Sequence, residues 1–304
     1  MPKVNLYTKI VLILVVMLLP IVGLYFFSNR TSTDVLRNEL NDSNTNRLVF
    51  FQNQVNANIS SISLWPNLLI HDPDISELRD TFDFSGGSLS LDMITLINRI
   101  QKKLSIQENS SNWTSSLYIY SPVLGRVVSS NDVSSYDDAE LKQRMKQGWQ
   151  VIGDQDGQFR FSLFTATPFN AFNRPENANL IIEVRFNSRN IVEMLDKFKS
   201  DGRRDPFFYK KDVGVIYSSS ANRTIAEELI GLLESHGTME LSNQTVTLDG
   251  KRYLVNTQRS DTTEWNLIDY IPLNDVLGPI RETNRMFYVT VGSLLLMSCV
   301  LAYV

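Results

Sequence analysis

The chain has 304 residues, a formal net charge of −4 and 43% hydrophobic residues, which is enough for two ordinary domains. No basic stripe is available to displace counterions from phosphates, so nucleic acid is excluded as the expected partner. The sole cysteine, Cys299, excludes a disulfide framework and a thiolate metal site, and it favours a bacterial surface over a secreted eukaryotic domain.

An uncharged apolar run stands near each end of the chain. Residues 10–27 are long enough, at about 1.5 Å per residue, to cross a bilayer as a helix. Aromatic residues occupy the place where a signal peptide has small ones, so an uncleaved transmembrane anchor is expected. Residues 286–304 predict a second transmembrane helix, with a buried core helix as the alternative.

Two crossings place both ends of the chain on one side of the lipid bilayer. Lysines in residues 1–9 favour a cytoplasmic N-terminus, so residues 28–285 are expected to be extracytoplasmic in a multi-pass protein of a bacterial cell membrane. The sequence stops within the second apolar run. We therefore expect a longer protein that continues into a cytoplasmic portion.

Residues 28–110 are predicted to form a long helix and a helical connection. The long helix runs from about Thr33 to Leu64 and ends at Trp65-Pro66, and a second helix fits Leu91 to Leu104 with Ser90 as its N-cap. The apolar stripe of the long helix must rest on a domain, on a second copy of the helix or on both. We interpret this stripe as the contact of a homodimer. The stripe repeats every 3.5 residues and consists of Leu48, Phe51, Val55, Ile59 and Ile62.

The remaining sequence repeats one order of elements: strand, glycine-containing turn, strand, paired serines, helix, further strands and a short helix. The first copy begins with Ser115 to Asp132 and the second with Pro206 to Arg223. Asp249-Gly250 in the second copy predicts a hairpin. We divide the repeat into two modules, residues 111–204 and 205–285, with a single large domain as the alternative.

This layout of anchor, long helix, two sheet-and-helix modules and second anchor resembles that of double Cache sensor domains, which are extracytoplasmic relatives of PAS folds. The likeness is carried by two Gly-x-hydrophobic-x-Ser-Ser hairpins, Gly125 to Ser130 and Gly214 to Ser219, and by the ending WNLIDYIPLNDVLGPIRETNR, Trp265 to Arg285. The resemblance implies an α+β fold in which a long N-terminal helix and two PAS-like Cache modules with antiparallel sheets are flanked by two transmembrane helices. Residues 111–204 would be the membrane-distal module and residues 205–285 the membrane-proximal one.

The combination is similar to two-transmembrane sensor histidine kinases of Gram-positive bacteria and to membrane-bound AraC-type regulators. It implies a ligand-sensing input region that passes a conformational signal to a cytoplasmic output domain in the same chain, with a response regulator as the partner of a kinase. A chemoreceptor is a further alternative, and a surface-anchored adhesion or scaffold module is the alternative from another class. The Arg-x-Trp-Tyr pattern of amino-acid-binding members is missing from the sequence, which leaves sugars, carboxylates, peptides or no small ligand open.

Chemistry-bearing motifs are few. His71 and His236 lie far apart, the glycines form no Walker or dinucleotide loop, and Ser218 to Ser220 lack a Gly-x-Ser-x-Gly elbow. We therefore expect no catalytic residue, no metal and no cofactor in this segment. Any protein histidine kinase activity is expected in the continuation of the chain.

Ligand pockets combine flat apolar walls with a few directed polar groups. The distal module offers six such residues as predicted ligand contacts: Tyr118, Tyr120, Ser130, Tyr136, Trp149 and Arg160. Stacked aromatic rings with hydroxyl groups suit a sugar, whereas Arg160 is suited to hold a carboxylate through two hydrogen bonds. Ordinary core positions are the alternative for Tyr118, Tyr120 and Trp149.

Overall fold

The computed structural model describes residues 6–80, 90–153, 157–174, 177–199, 204–236 and 244–303. The helices in these ranges are α1 (Leu6–Ser63), α2 (Trp65–Leu69), α3 (Pro73–Asp80), α4 (Leu91–Asn109), α5 (Asp138–Arg144), α6 (Arg189–Phe198), α7 (Arg223–His236) and α8 (Leu273–Tyr303), with a 3-10 helix at Phe169–Phe172. The strands are β1 (Ser115–Ser121), β2 (Arg126–Ser129), β3 (Val133–Ser135), β4 (Gln150–Gly153), β5 (Phe159–Thr167), β6 (Leu180–Asn187), β7 (Phe207–Lys210), β8 (Gly214–Tyr217), β9 (Gln244–Leu248), β10 (Lys251–Arg259) and β11 (Asn266–Pro272).

The long helix α1 is continuous from Leu6 to Ser63, although the sequence predicts two helices, residues 10–27 and Thr33 to Leu64. Residues 28–32 contain neither glycine nor proline, so nothing in them interrupts the backbone hydrogen bonds. The predicted end before Trp65-Pro66 is confirmed, and the proline lies in the first turn of α2, where its missing N–H costs nothing.

The helix α8 likewise joins the short helix expected before Arg285 to the second apolar run. Among the residues that the structure describes, no helix combines the length and the apolar character needed to cross a bilayer. The two transmembrane helices therefore stay predictions.

The apolar stripe of α1 lies in the interior of the single chain. Leu48, Phe51, Val55, Ile59 and Ile62 are only 0–4% exposed. The ring centroid of Phe51 stands 4.5 Å from that of Phe198 and 6.3 Å from that of Phe208. A side chain buried against its own chain has no surface left for a second copy, so the expected dimer contact is corrected: this stripe is core.

Local sequence determines where helix α4 begins and how far it extends. The side chain of Ser90 accepts a hydrogen bond of 3.2 Å from the backbone N–H of Met93, which confirms the predicted N-cap of α4. Helix α4 then continues to Asn109, past the predicted end at Leu104, because no helix-breaking residue intervenes.

The first sheet has the order β3-β2-β1-β6-β5-β4, and its neighbouring strands pair antiparallel. The central strand β6 alternates between the two faces, so Ile182, Val184 and Phe186 point one way and Glu183 and Arg185 the other. On the Phe186 face, the ring of Phe161 stacks on that of Phe186 at 4.6 Å. That face forms the aromatic core, and the opposite face carries buried charge.

The second sheet has the order β8-β7-β11-β10-β9. Pairing is antiparallel between β7 and β8, between β7 and β11, and between β9 and β10. Asp249 and Gly250 connect β9 to β10 with φ values of 47° and 70°, which confirms the predicted hairpin. Two antiparallel sheets and a long N-terminal helix thus confirm the α+β class.

The structure divides by contacts into two compact units. One contains Met1–Leu48, Leu241–Asn256 and Tyr270–Val304, and the other contains Val49–Glu240 and Thr257–Asp269. The residues that build the site below all belong to the second unit. The module boundaries expected from the repeat in the sequence stay predictions.

Gly214, the first residue of β8, lies against an aromatic pair. Its φ is +144°, and a Cβ added there would stand 2.6 Å from Cζ of Phe159. The ring of Phe159 in turn packs edge-on against that of Trp265, which is 1% exposed, with centroids 5.3 Å apart. Phe159 therefore has little room to retreat, and glycine is required at position 214.

We expect Gly214→Ala to lower the free energy of unfolding by about 2–4 kcal/mol, because steric overlap adds to backbone strain. Gly250→Ala is the control: its φ is +70°, but nothing lies within 4 Å of an added Cβ. It is expected to lose only about 1 kcal/mol through strain. Urea unfolding followed by circular dichroism measures both losses, and equal losses would contradict the steric role of Phe159.

Candidate ligand-binding site

The site is built on β6, where two opposite charges interrupt the apolar segment LIIEVRFN. Antiparallel pairing places Tyr118 of β1 and Phe164 of β5 on either side of Glu183. The next row of the same face holds Tyr120 and Ile181. Because residues opposite each other across antiparallel strands share a face, register alone brings these aromatic side chains next to the carboxylate of Glu183.

The Glu183 cluster consists of Tyr120, Arg144, Glu183 and Arg185. The hydroxyl of Tyr120 donates a 2.6 Å hydrogen bond to Oε2 of Glu183. Arg185 donates from Nε to Oε1 at 2.6 Å and from NH2 to Oε2 at 2.7 Å, and it also donates to the Tyr120 hydroxyl at 2.8 Å. Arg144 approaches Oε2 at 3.4 Å. The carboxylate, whose residue is 0% exposed, thus receives donors from three side chains.

The surroundings of Tyr120 and Arg185 keep each side chain in one protonation state. Burial raises the pKa of Tyr120, and the negative charge of Glu183 raises it further, so the hydroxyl stays a neutral donor. Burial opposes the charge of Arg185, but the hydrogen bonds and the ion pair with Glu183 outweigh it and raise the pKa of Arg185. The result is a charged guanidinium on Arg185 beside a neutral phenol on Tyr120.

Aromatic rings and apolar side chains enclose the Glu183 cluster. The guanidinium carbon of Arg185 lies 4.1 Å from the ring centroid of Tyr118, and the ring of Tyr136 meets that of Tyr120 edge-on at 5.1 Å. Tyr118 and Tyr136 are partly buried against the core residues of this face. Those residues are Val127, Leu141, Met145, Phe164, Ala166, Ala171, Ala178 and Ile181. The enclosure strengthens the charged contacts because little water screens them.

A cleft of about 310 Å³ opens beside the Glu183 cluster, at Arg144 and Phe164. This volume is that of a site for a small molecule. Its walls combine charged, polar and apolar side chains: Gln143, Arg144, Lys146, Gln150, Val151, Ile152, Ser162 and Phe164. A small ligand can lie there with one end at Arg144 and its body against Phe164.

The structure brings four of the six predicted ligand residues to one face of the first sheet. Tyr118, Tyr120 and Tyr136 lie at the Glu183 cluster, and the alternation of β5 puts Arg160 on the same face as Ser162.

The other two lie elsewhere: Trp149 packs edge-on against Phe186 of the opposite face, with centroids 5.1 Å apart, and Ser130 is half-buried after the end of β2. Ligand contact by any of the six stays a prediction.

The residues that the sequence analysis missed are Arg144, Phe164, Glu183 and Arg185. A signal for two of them exists, because a glutamate and an arginine at alternate positions of an otherwise apolar strand must share a face and neutralise each other. Arg144 carries no comparable signal: it lies in the last turn of a short polar helix, where a basic residue is ordinary.

No protein-family model and no curated protein matches the chain. Solved structures of the chemoreceptor Tlp3 of Campylobacter jejuni do match. Its ligand-binding domain in complex with L-norvaline has 13% identity and a TM-score of 0.56 over 80% of this chain and 94% of that chain. The complex with 4-methylisoleucine has 12% identity and a TM-score of 0.54 over 79% and 94%. The sensory domain of the same receptor has 12% identity and a TM-score of 0.54 over 81% and 98%.

At this level of identity the likeness shows the fold alone. The chain has the fold of a chemoreceptor sensory domain, which is consistent with the double Cache architecture expected from the sequence. The matches cover nearly the full length of those domains and about four fifths of this chain.

We expect Glu183→Gln to lower the free energy of unfolding by about 3–5 kcal/mol, because it leaves the partly buried Arg185 without a counter-charge. Tyr120→Phe removes only the hydrogen bonds of the hydroxyl and is expected to cost about 1.5–3 kcal/mol. Glu77→Gln, at an exposed ion pair with Arg99, serves as the control and should leave stability unchanged. Chemical denaturation gives all three values; a loss for Glu183→Gln no larger than that of the control would refute the role of the cluster.

The stability of the fold is expected to depend on pH through Tyr136, because burial, helped by the charge of Asp138, raises the pKa of Tyr136 to about 12. Above pH 10 the unfolded chain loses this proton while the folded chain keeps it, so the contribution of Tyr136 is complete below about pH 10 and is lost between about pH 10 and 12. Urea unfolding across this range should show a shallower fall in stability for Tyr136→Phe than for wild type. Identical slopes would show that the hydroxyl is solvated.

Proposed function

We propose that the chain is the extracytoplasmic ligand-sensing input region of a bacterial transmembrane signalling receptor. The observation that carries this proposal is a buried charge cluster beside an open cleft, on one sheet of a fold shared with chemoreceptor ligand-binding domains. A protein that only needs to be stable gains little from a buried ion pair, since apolar residues of similar volume serve as well. A fixed charged group at the wall of a small-molecule cleft is what recognition requires.

The membrane part of the proposal rests on the sequence. The uncharged runs 10–27 and 286–304 serve as anchors in the lipid bilayer, and residues 28–285 lie outside the cytoplasm. The input region itself performs no catalysis. Its signal depends on two arrangements of the chain that the ligand binds unequally, because a ligand shifts an equilibrium only by its difference in affinity.

We propose a sensor histidine kinase as the whole protein, with a response regulator as its partner, on the basis of the two-anchor layout. A chemoreceptor is the second candidate, and the similarity of the fold to the Tlp3 sensory domain favours it. A homodimer suits both, and it requires a surface other than the buried stripe of α1. Sequencing the gene beyond Val304 distinguishes a kinase from a chemoreceptor output.

Binding is tested by thermal unfolding of the full chain in detergent micelles with four classes of ligand: amino acids, short monocarboxylates, sugars and dipeptides. At least one class should raise the melting temperature in a saturable way, since a ligand at about 100 times its Kd adds about 2.7 kcal/mol to the stability of the folded state. A complete lack of response would refute ligand sensing at this site.

The cleft is tested by filling it. Ile152→Trp, at a position that is 40% exposed on the cleft wall, is expected to abolish the ligand-induced shift. Val123→Trp, at a position that is 39% exposed in the turn after β1, is the matched control and should preserve the shift. A shift that survives in Ile152→Trp would place the ligand elsewhere.

A further inference from the structure

The cleft beside the Glu183 cluster has an uneven charge. Two of its lining side chains, Arg144 and Lys146, are cationic. The others are the polar side chains Gln143, Gln150 and Ser162 and apolar groups such as Phe164, so no carboxylate lines the cleft among the residues that the structure describes. The cleft therefore favours a negatively charged ligand over a positively charged one.

The carboxylate of Glu183, which lies behind the cleft, is already occupied. It accepts hydrogen bonds of 2.6 and 2.7 Å from Arg185 and one of 2.6 Å from Tyr120. A longer one, of 3.4 Å, comes from Arg144. A carboxylate has about four acceptor positions, so none is left for a ligand. Among the residues that the structure describes, an ammonium group placed in the cleft would find no free acidic partner.

Arg144, in contrast, is only partly used. Its contact with Glu183 is the longest in the cluster, and its other ion pair is a 3.7 Å contact with the largely exposed Glu140, a kind that contributes little. Its Nε is buried and has no hydrogen-bond partner within the described part of the chain. Two guanidinium groups thus face a single buried carboxylate, and the cluster carries one positive charge in excess.

We propose, on the basis of the ligand-sensing function above, that this cleft binds amine-free monocarboxylates with a short apolar body, and that Arg144 anchors the carboxylate. The planar guanidinium offers parallel N–H donors that match the two carboxylate oxygens, and a single negative charge balances the excess charge of the cluster. Ile152 and Phe164 provide the apolar wall for the body of the ligand. The site therefore selects against the ammonium group of an amino acid.

Three ligands of one carbon skeleton test the ligand class without any substitution: pentanoate, L-norvaline, which adds an ammonium group, and pentanamide, which removes the charge. Isothermal titration of the full chain in detergent micelles should show pentanoate binding about tenfold or more tightly than either of the others. Inorganic phosphate at the same concentration tests general anion binding and should not compete. Equal or tighter binding of L-norvaline would overturn the ligand class.

Arg144→Gln tests the anchor and should weaken the binding of pentanoate about tenfold or more, since a charge-assisted hydrogen bond is lost. Lys142→Gln, on the same helix but outside the cleft lining, should leave the affinity of pentanoate unchanged. If Arg160→Gln weakens the binding of pentanoate and Arg144→Gln does not, the anchor is Arg160 and its assignment to Arg144 is wrong. Circular dichroism of each variant verifies its fold, and Arg144→Lys, which keeps the charge without the planar fork, should show an intermediate affinity.

The outcomes separate this inference from the proposed function. Binding of amino acids, sugars or dipeptides in the absence of pentanoate binding would retain a ligand sensor and refute the monocarboxylate class. A chain that binds none of the ligand classes would refute the sensor function itself.

Discussion

The buried carboxylate of Glu183 is the constraint on which the proposed site depends. Removing a charge from water is expensive unless a counter-charge and hydrogen bonds replace the lost hydration. Arg185 and Tyr120 supply both, at 2.6–2.8 Å, and this requirement fixes the side chains of neighbouring strands around one point of the sheet. The neutral phenol and the charged guanidinium then stay in the same states over the physiological pH range, since the pKa of each is raised.

A second buried ion pair shows why the Glu183 cluster suits binding. Arg204 donates a 2.9 Å hydrogen bond to Asp269, and the two residues are 7% and 1% exposed. Neither residue of that pair lines the cleft at Arg144. The Glu183 cluster matches two guanidinium groups with one carboxylate and opens to a cleft at Arg144. The opening to a cleft, rather than burial itself, distinguishes the candidate site from a structural ion pair.

Much of the local structure could be predicted from the sequence because its causes are local. Ser90 caps α4 and Asp249-Gly250 forms a hairpin turn, both through contacts or torsions within a few residues. The apolar stripe of α1 was recognised too, but its partner was not. A period of 3.5 residues says that a face is buried and leaves open whether another helix or the same chain covers it; here the rings of Phe198 and Phe208 cover Phe51.

The sequence by itself determined the α+β class, the long N-terminal helix, the repeated order of elements and the aromatic strand that carries Tyr118 and Tyr120. Only the tertiary structure decided which side chains meet. Tyr120 and Glu183 are 63 positions apart, and strand register, not local periodicity, places them in contact. Arg144 reaches the same carboxylate from a helix 39 positions away. Contacts at such separations depend on the packing of whole strands and helices, which no short stretch of sequence encodes.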